Sequence, residues 1–191
     1  MRSDAHSNRL RILEAAMEVF ATPGDTSLKR IAHRAGVGKG TLYRHFPTRE
    51  SLVLQVYAEE VEGLEAAVRV LLDALSPLLA LRAWLERLLK LGRCLPEFAA
   101  ALHPPTGMSP GGCGDPRRPL LDALAALVSA NESAGTITPG TTAEDVLLLL
   151  GPLWHVGGAD EDGARAQRLF ETLLRGLCPS GSARECLVTG A

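Results

Sequence analysis

The 191-residue sequence predicts an all-α fold, on three observations. Apolar residues recur at three- and four-residue intervals over nearly the whole chain, the period of a helix face. Aromatic residues are only 4% of a chain that is 46% hydrophobic, so the core must be built from Leu, Ala and Val, a composition that favours helices over strands. Pro23-Gly24, Gly36, Pro47, Pro77 and Gly135 each close one of the periodic segments, as helix terminators do. No internal repeat interrupts the pattern.

The elements follow in order. A first helix carries Leu10, Leu13, Met17 and Phe20 on one face and ends before Pro23-Gly24. Thr26 or Ser27 caps a short second helix with Leu28, Ile31, Ala32 and Ala35 on its buried side, and Gly36 stops it. A third short helix is anchored by Leu42 and Phe46, one turn apart. Pro47 ends it, because the residue before a proline is pushed out of the α region. Thr48 caps the fourth, with Glu50 in its first turn. Its stripe runs from Leu52 through Val56, Val61, Leu64, Val68 and Leu71 to Leu75, which predicts one continuous helix of about 27 residues, roughly 40 Å long, with a domain boundary inside it.

Beyond Pro77, helices are predicted around 78–94, 96–102, 117–134, 142–157 and 161–177. Thr142 and Asp145 form a capping pair, and Pro152 predicts a kink. Between Leu102 and Arg117 runs HPPTGMSPGGCGDP, long for a loop in a compact domain and therefore either functional or disordered. The tail 179–191 has no periodicity and is expected to be disordered.

Charge is unevenly distributed. The first 50 residues hold nine Lys or Arg against five Asp or Glu, while the chain as a whole has a net charge of −2. A basic head on an acidic body suits a polyanionic partner for the head. The four cysteines, Cys94, Cys113, Cys178 and Cys186, are far apart and show no metal-ligand spacing, so a metal site is not expected. Cys113 is either a reactive thiol or an incidental one. No apolar run approaches the roughly 20 residues of a membrane span, and the N-terminus lacks a signal-peptide pattern. A soluble, cytoplasmic protein without membrane association is expected.

The distinctive stretch is GVGKGTLYRHF, from Gly36 to Phe46. Two short helices joined by AGVGK make a helix-turn-helix. Leu28, Ile31 and Ala32 pack the first against Leu42 of the second, Ala35 is small at the crossing, Gly36 permits the turn and Val37 plugs the corner. The second helix then points Lys39 and Tyr43 outward as an i, i+4 pair, with Thr41 and His45 beside them. A helix of this width enters a DNA major groove N-terminus first. Lys39 can donate to guanine and the Thr41 methyl can meet thymine. Tyr43 and His45 suit phosphates, Ser27, Lys29, Thr48 and Arg49 flank the groove, and Gly40 lets the backbone approach. GVGKGT is not a nucleotide-binding loop, for it lacks the required glycine spacing and a preceding strand. No catalytic constellation stands in a credible setting, so an enzyme is not expected and no cofactor is called for.

The segments RILEAAMEVFATPG, TSLKRIAHRAGVGKGTLYRHF and PTRESLVLQVY resemble the DNA-binding domain of the TetR family of bacterial transcriptional regulators. The resemblance covers the first 55 residues. It implies that the LYRHF helix, including Arg44, is the recognition helix, that Tyr43 is a phosphate contact, and that the next helix ties the head to the body. It also implies a homodimer formed by the last two long helices and a small-molecule effector enclosed by the middle ones. Gly38 departs from the family pattern, where serine or another capping residue is common; glycine caps slightly less well.

The fold class is thus an N-terminal helix-turn-helix domain over 1–50 and a C-terminal helical ligand-binding and dimerisation domain over 51–178. Candidate effector residues are Trp84, Phe98, His103, Met108, Trp154 and His155, each also explicable as helix packing or loop. AEDVLLLLGPLWHV and ARAQRLFETLLRGL are the natural interface helices. The apolar run Val146–Leu150 fits either an interface or a fully buried central helix. The function expected is a ligand-responsive repressor on a palindromic double-stranded operator. The alternative is a regulator controlled by a protein partner, or an activator, without a small-molecule pocket.

Overall fold

The computed structural model describes residues 2–22, 24–103, 115–156 and 164–179, with side chains from residue 6 onward. The expectations for Met108, for most of the 103–116 loop and for nearly all of the tail therefore lie outside the described residues. Among the described residues the fold is all-α, and packing divides the chain into two compact units between Ala58 and Glu59. The expected division after residue 50 falls earlier than this one, inside a helix that packs with the first unit.

The first unit contains α1 (Arg2–Phe20), α2 (Leu28–Arg34), α3 (Lys39–His45) and α4 (Arg49–Val56). Its core is Ile12, Ala15, Ala16, Val19, Ile31, Ala32, Ala35, Leu42, Phe46 and Leu52. This corrects the expected face of the first helix. Leu10 and Met17 are exposed, Leu13 and Phe20 are partly buried, and the fully buried line runs through Ile12, two alanines and Val19. Small side chains let α2 and α4 approach α1 closely, a role that hydropathy periodicity undervalues. Ser27, not Thr26, caps α2 by accepting the Arg30 N–H. Thr48 and Ser51 form a reciprocal capping box at α4.

The continuous fourth helix is also corrected. α4 stops at Val56, Tyr57 takes φ −101° and ψ 36°, and α5 (Ala58–Ala74) begins after it. The Tyr57 ring stacks on Phe20 of α1, with centroids 6.5 Å apart and planes 21° apart. The apolar stripe continues through this point, so the periodicity that predicts one helix does not register the break, which coincides with a contact between residues 37 positions apart.

The second unit continues with α6 (Pro77–Cys94), α7 (Pro96–Leu102), α8 (Arg118–Ser133), α9 (Ala143–Leu150) and α10 (Ala164–Leu177). α6 is its centre and packs against α7, α8 and a 3₁₀ turn at Gly151–His155. That turn is the outcome of the expected kink at Pro152. Proline removes an intrahelical donor and clashes one turn back, so the chain leaves α geometry at Leu150 and tightens. Thr142 caps α9 as expected, accepting the Asp145 N–H while its hydroxyl donates to the Asp145 carboxylate at 2.6 Å. Val146, Leu147 and Leu150 are buried, but Leu148 and Leu149 are 66% and 55% exposed. Within one chain, α9 is therefore not a fully buried helix. No helix among the described residues is long and apolar enough to cross a membrane.

Candidate functional site

α3 is a short helix seated on apolar anchors. Leu42 is fully buried and Phe46 nearly so, which fixes its inner face. Gly36 makes the turn before it with φ +62°, and the Val37 N–H closes the turn on the Ala32 carbonyl at 3.0 Å. Gly38 caps α3 from an extended conformation without a side-chain hydrogen bond. The outer face presents Lys39, Gly40, Tyr43 and Arg44 exposed and Thr41 and His45 half-buried. Lys39 Nζ lies 5.8 Å from the Tyr43 ring centroid, and the Arg44 Nε–H donates to the Gly40 carbonyl at 3.2 Å. Lys29 is exposed on α2.

The remaining expected contacts have structural work of their own. Ser27 and Thr48 use their hydroxyls as helix caps. The Ser27 N–H also donates to the Asp25 carboxylate at 2.8 Å, and with the Ser27 Oγ–H at 3.0 Å it holds that carboxyl below its ordinary range. The Arg49 guanidinium donates to the Thr26 hydroxyl at 2.9 Å and to the Thr26 carbonyl, and lies over the Phe20 ring at 5.5 Å.

Other arginines act likewise. Arg9 sits 4.7 Å over Phe46 and donates to Gln55 Oε1 at 2.7 Å. Arg11 donates to the Ala35 and Gly36 carbonyls, placing a cation at the C-terminal end of α2. Arg30 bonds the Asp25 carbonyl at 2.9 Å and Arg34 pairs with Glu18. These roles were missed in the sequence, where charge count alone does not separate a tie from a free cation. Among the described side chains of this unit, Lys29, Lys39 and Arg44 are left as exposed cations that reach no other element.

In the second unit the candidate effector residues divide. Trp84 is fully buried and its indole N–H donates to the Leu64 carbonyl at 2.8 Å; Phe98 is fully buried too. His103 and Trp154 are brought together, edge to face at 5.2 Å, while His155 is exposed at the end of the 3₁₀ turn. His103 Nε2 stands 3.2 Å from the Leu148 carbonyl. An open groove of about 480 Å³ between α5 and α8, lined by Val68, Arg69, Leu72, Pro119 and Ala123 among others, contains none of the expected residues.

A family model described as bacterial regulatory proteins, tetR family, matches residues 12–56, the segment that builds this head. A TetR transcriptional regulator from Streptomyces coelicolor is 39% identical over 90% of this chain and 99% of its own, with a TM-score of 0.55. HTH-type transcriptional regulators of Staphylococcus aureus are 42% identical over 64 residues, 32% of this chain and 35% of theirs. The matched region thus spans about a third of the length of those curated relatives. Thermus thermophilus FadR, solved with lauroyl-CoA, shares the fold with a TM-score of 0.63 at 22% identity, covering 90% of this chain and 95% of its own.

Proposed function

Because the chain belongs to the TetR family of bacterial transcriptional regulators, we propose that it is a cytoplasmic, ligand-responsive repressor that binds a palindromic operator as a homodimer. The observation that carries the reading is the outer face of α3. Lys39, Gly40, Thr41, Tyr43 and Arg44 stand on a helix whose inner face is locked by Leu42 and Phe46, with Lys29 exposed on the preceding helix. Lys39 and Thr41, near the N-terminus, address base edges; Tyr43, Arg44 and His45 address phosphates. Ser27, Thr48 and Arg49 border this surface and hold its geometry while remaining at its edge.

The dimer reading is supported by Leu148, Leu149 and Leu169, which leave apolar surface on α9 and α10. Two-fold symmetry then matches an operator of two half-sites. The effector reading is supported by the fold, which in Thermus FadR accommodates lauroyl-CoA. An effector acts only through its different affinities for the DNA-competent and incompetent states, a coupling of about 1–3 kcal/mol.

The test is operator binding by fluorescence anisotropy, using an inverted repeat found upstream of the gene. Lys39→Ala should weaken binding about ten-fold or more, and Tyr43→Phe less, with helical circular dichroism unchanged. Unchanged affinity in both variants would sink the assignment.

A further inference from the structure

The chain has two tryptophans, and both lie in the second unit. An indole N–H is a donor only, and when buried it normally finds an acceptor. Trp84 does, at the Leu64 carbonyl. Trp154 does not. It is 7% exposed, its Nε1 is closed off from solvent, and no acceptor reaches it. It is the one buried side-chain nitrogen or oxygen without a partner among the described residues. Other buried polar groups of the second unit are served. Asn131 donates to the Pro77 and Leu127 carbonyls and accepts from the Thr136 hydroxyl, and Arg117 pairs with Asp115 and donates to the Leu102 carbonyl.

The surroundings of this donor are built around glycine. Gly92 of α6 lies so close that a Cβ there would stand 2.4 Å from Trp154 Nε1. Across the ring, His103 meets Trp154 edge to face, and His103 itself lies on Gly151, where a Cβ would come within 1.6 Å of its Nε2. Leu88, Leu89, Leu150 and Leu153, which flank these positions in the chain, are buried and apolar. α6, the end of α7 and the 3₁₀ turn thus converge on two rings, two glycines and one unused hydrogen-bond donor.

We propose that Trp154 Nε1–H is the polar contact of an effector site at this junction, and that the effector is an apolar molecule carrying a carboxylate or carbonyl oxygen. The inference rests on the reading that the second unit takes a small-molecule effector. An indole N–H rewards an acceptor and gives nothing to a group that only donates, so an ammonium on the same apolar body is rejected. The half-buried His103 ring is the more exposed of the pair and lies between Trp154 and Gly151 in reach of solvent.

The experiment uses the ¹⁵N-labelled full chain, which gives two indole N–H signals. In the free protein the Trp84 signal should lie downfield, as a hydrogen-bonded indole does, and the Trp154 signal upfield. Decanoate and phenylacetate are then compared with decylammonium and phenethylammonium at equal millimolar concentration. At least one carboxylate should move the Trp154 signal downfield and raise the melting temperature, while its ammonium counterpart does neither. Trp154→Phe keeps an aromatic ring and removes the donor, so it should weaken carboxylate binding about ten-fold to a hundred-fold. Should that variant not fold, the wild-type spectra decide alone, since the bond to Leu64 identifies the Trp84 signal.

A Trp154 signal unmoved by both carboxylates overturns the proposal, as does equal movement by the ammonium probes. Release of operator DNA by decanoate with the Trp154 signal unmoved would keep the regulator reading and remove this site. Movement of the signal without any change in operator binding would keep the site and remove ligand control.

Discussion

At Gly36 the backbone adopts φ +62°, and a Cβ there would also stand 2.6 Å from the Arg11 guanidinium that bonds the Ala35 and Gly36 carbonyls. A side chain meets two penalties: left-handed backbone strain, and displacement of a cation from the end of α2. Gly36→Ala should lower the stability of the first unit by about 1–2 kcal/mol, read as a lower urea midpoint at unchanged slope. The need for glycine here was legible from sequence, because turn and spacing coincide. The partners of the arginines were not. Arg9, Arg11, Arg34 and Arg49 each reach a group far along the chain, so their roles depend on where α1 and α4 lie, while Arg30 ties back to Asp25 in the preceding loop. Trp154 is similar: its type marked it as a candidate, but its unused donor exists only in the packed unit.

Among the elements, caps were readable and joints were not. Ser27, Thr48 and Thr142 cap helices because a short hydroxyl next to a helix start has a ready backbone donor to accept from. The break at Tyr57 coincides with its stacking on Phe20 of another helix. The link between α6 and α10 is likewise tertiary. The Arg82 guanidinium grips the Glu171 carboxylate with both terminal nitrogens, lies 6.0 Å from the Phe170 ring centroid, and bonds Glu86 through Nε at 3.0 Å. The bond from Arg82 holds the Glu171 carboxyl below its ordinary value of 4.5. A carboxyl whose value is lowered by folding contributes stability fully above its unfolded value and loses it as pH falls through the folded one. The second unit should therefore keep this contribution, about 1 kcal/mol, at neutral pH and lose it on acidification below about 4.5. Thermal melts across pH 3–7 check this, and Glu171→Gln should flatten that part of the profile.

Two predictions belong to the whole molecule. Leu148 and Leu149 are exposed on a single chain, so Leu148→Asp should leave the fold intact. It should convert the proposed dimer to monomer in light scattering and weaken binding to the proposed operator with it. A monomeric wild type would remove the dimer reading. The second concerns salt. With Lys29, Lys39 and Arg44 as the untied cations among the described side chains of the head, the proposed dimer neutralises about six phosphates, and the logarithm of affinity should fall with that of salt with a slope near −5. A slope steeper than about −10 would mean that the internally bonded arginines leave their partners for DNA. The basic excess of the head, read as a count, predicts the larger number; only the packed unit reduces it.

From sequence alone came the all-α class, the order and ends of most helices, the helix-turn-helix and the outward face of α3. All of these depend on periodicity, capping and turn chemistry within a few neighbouring residues. Tertiary structure alone decided which face of α1 is buried, where the fourth helix breaks, which basic residues remain available, and that one indole donor is left unused. Each depends on which residues far apart in the chain are packed together, and the energy of such a contact, made or missing, belongs to the pair and to the space between them, which no local pattern carries.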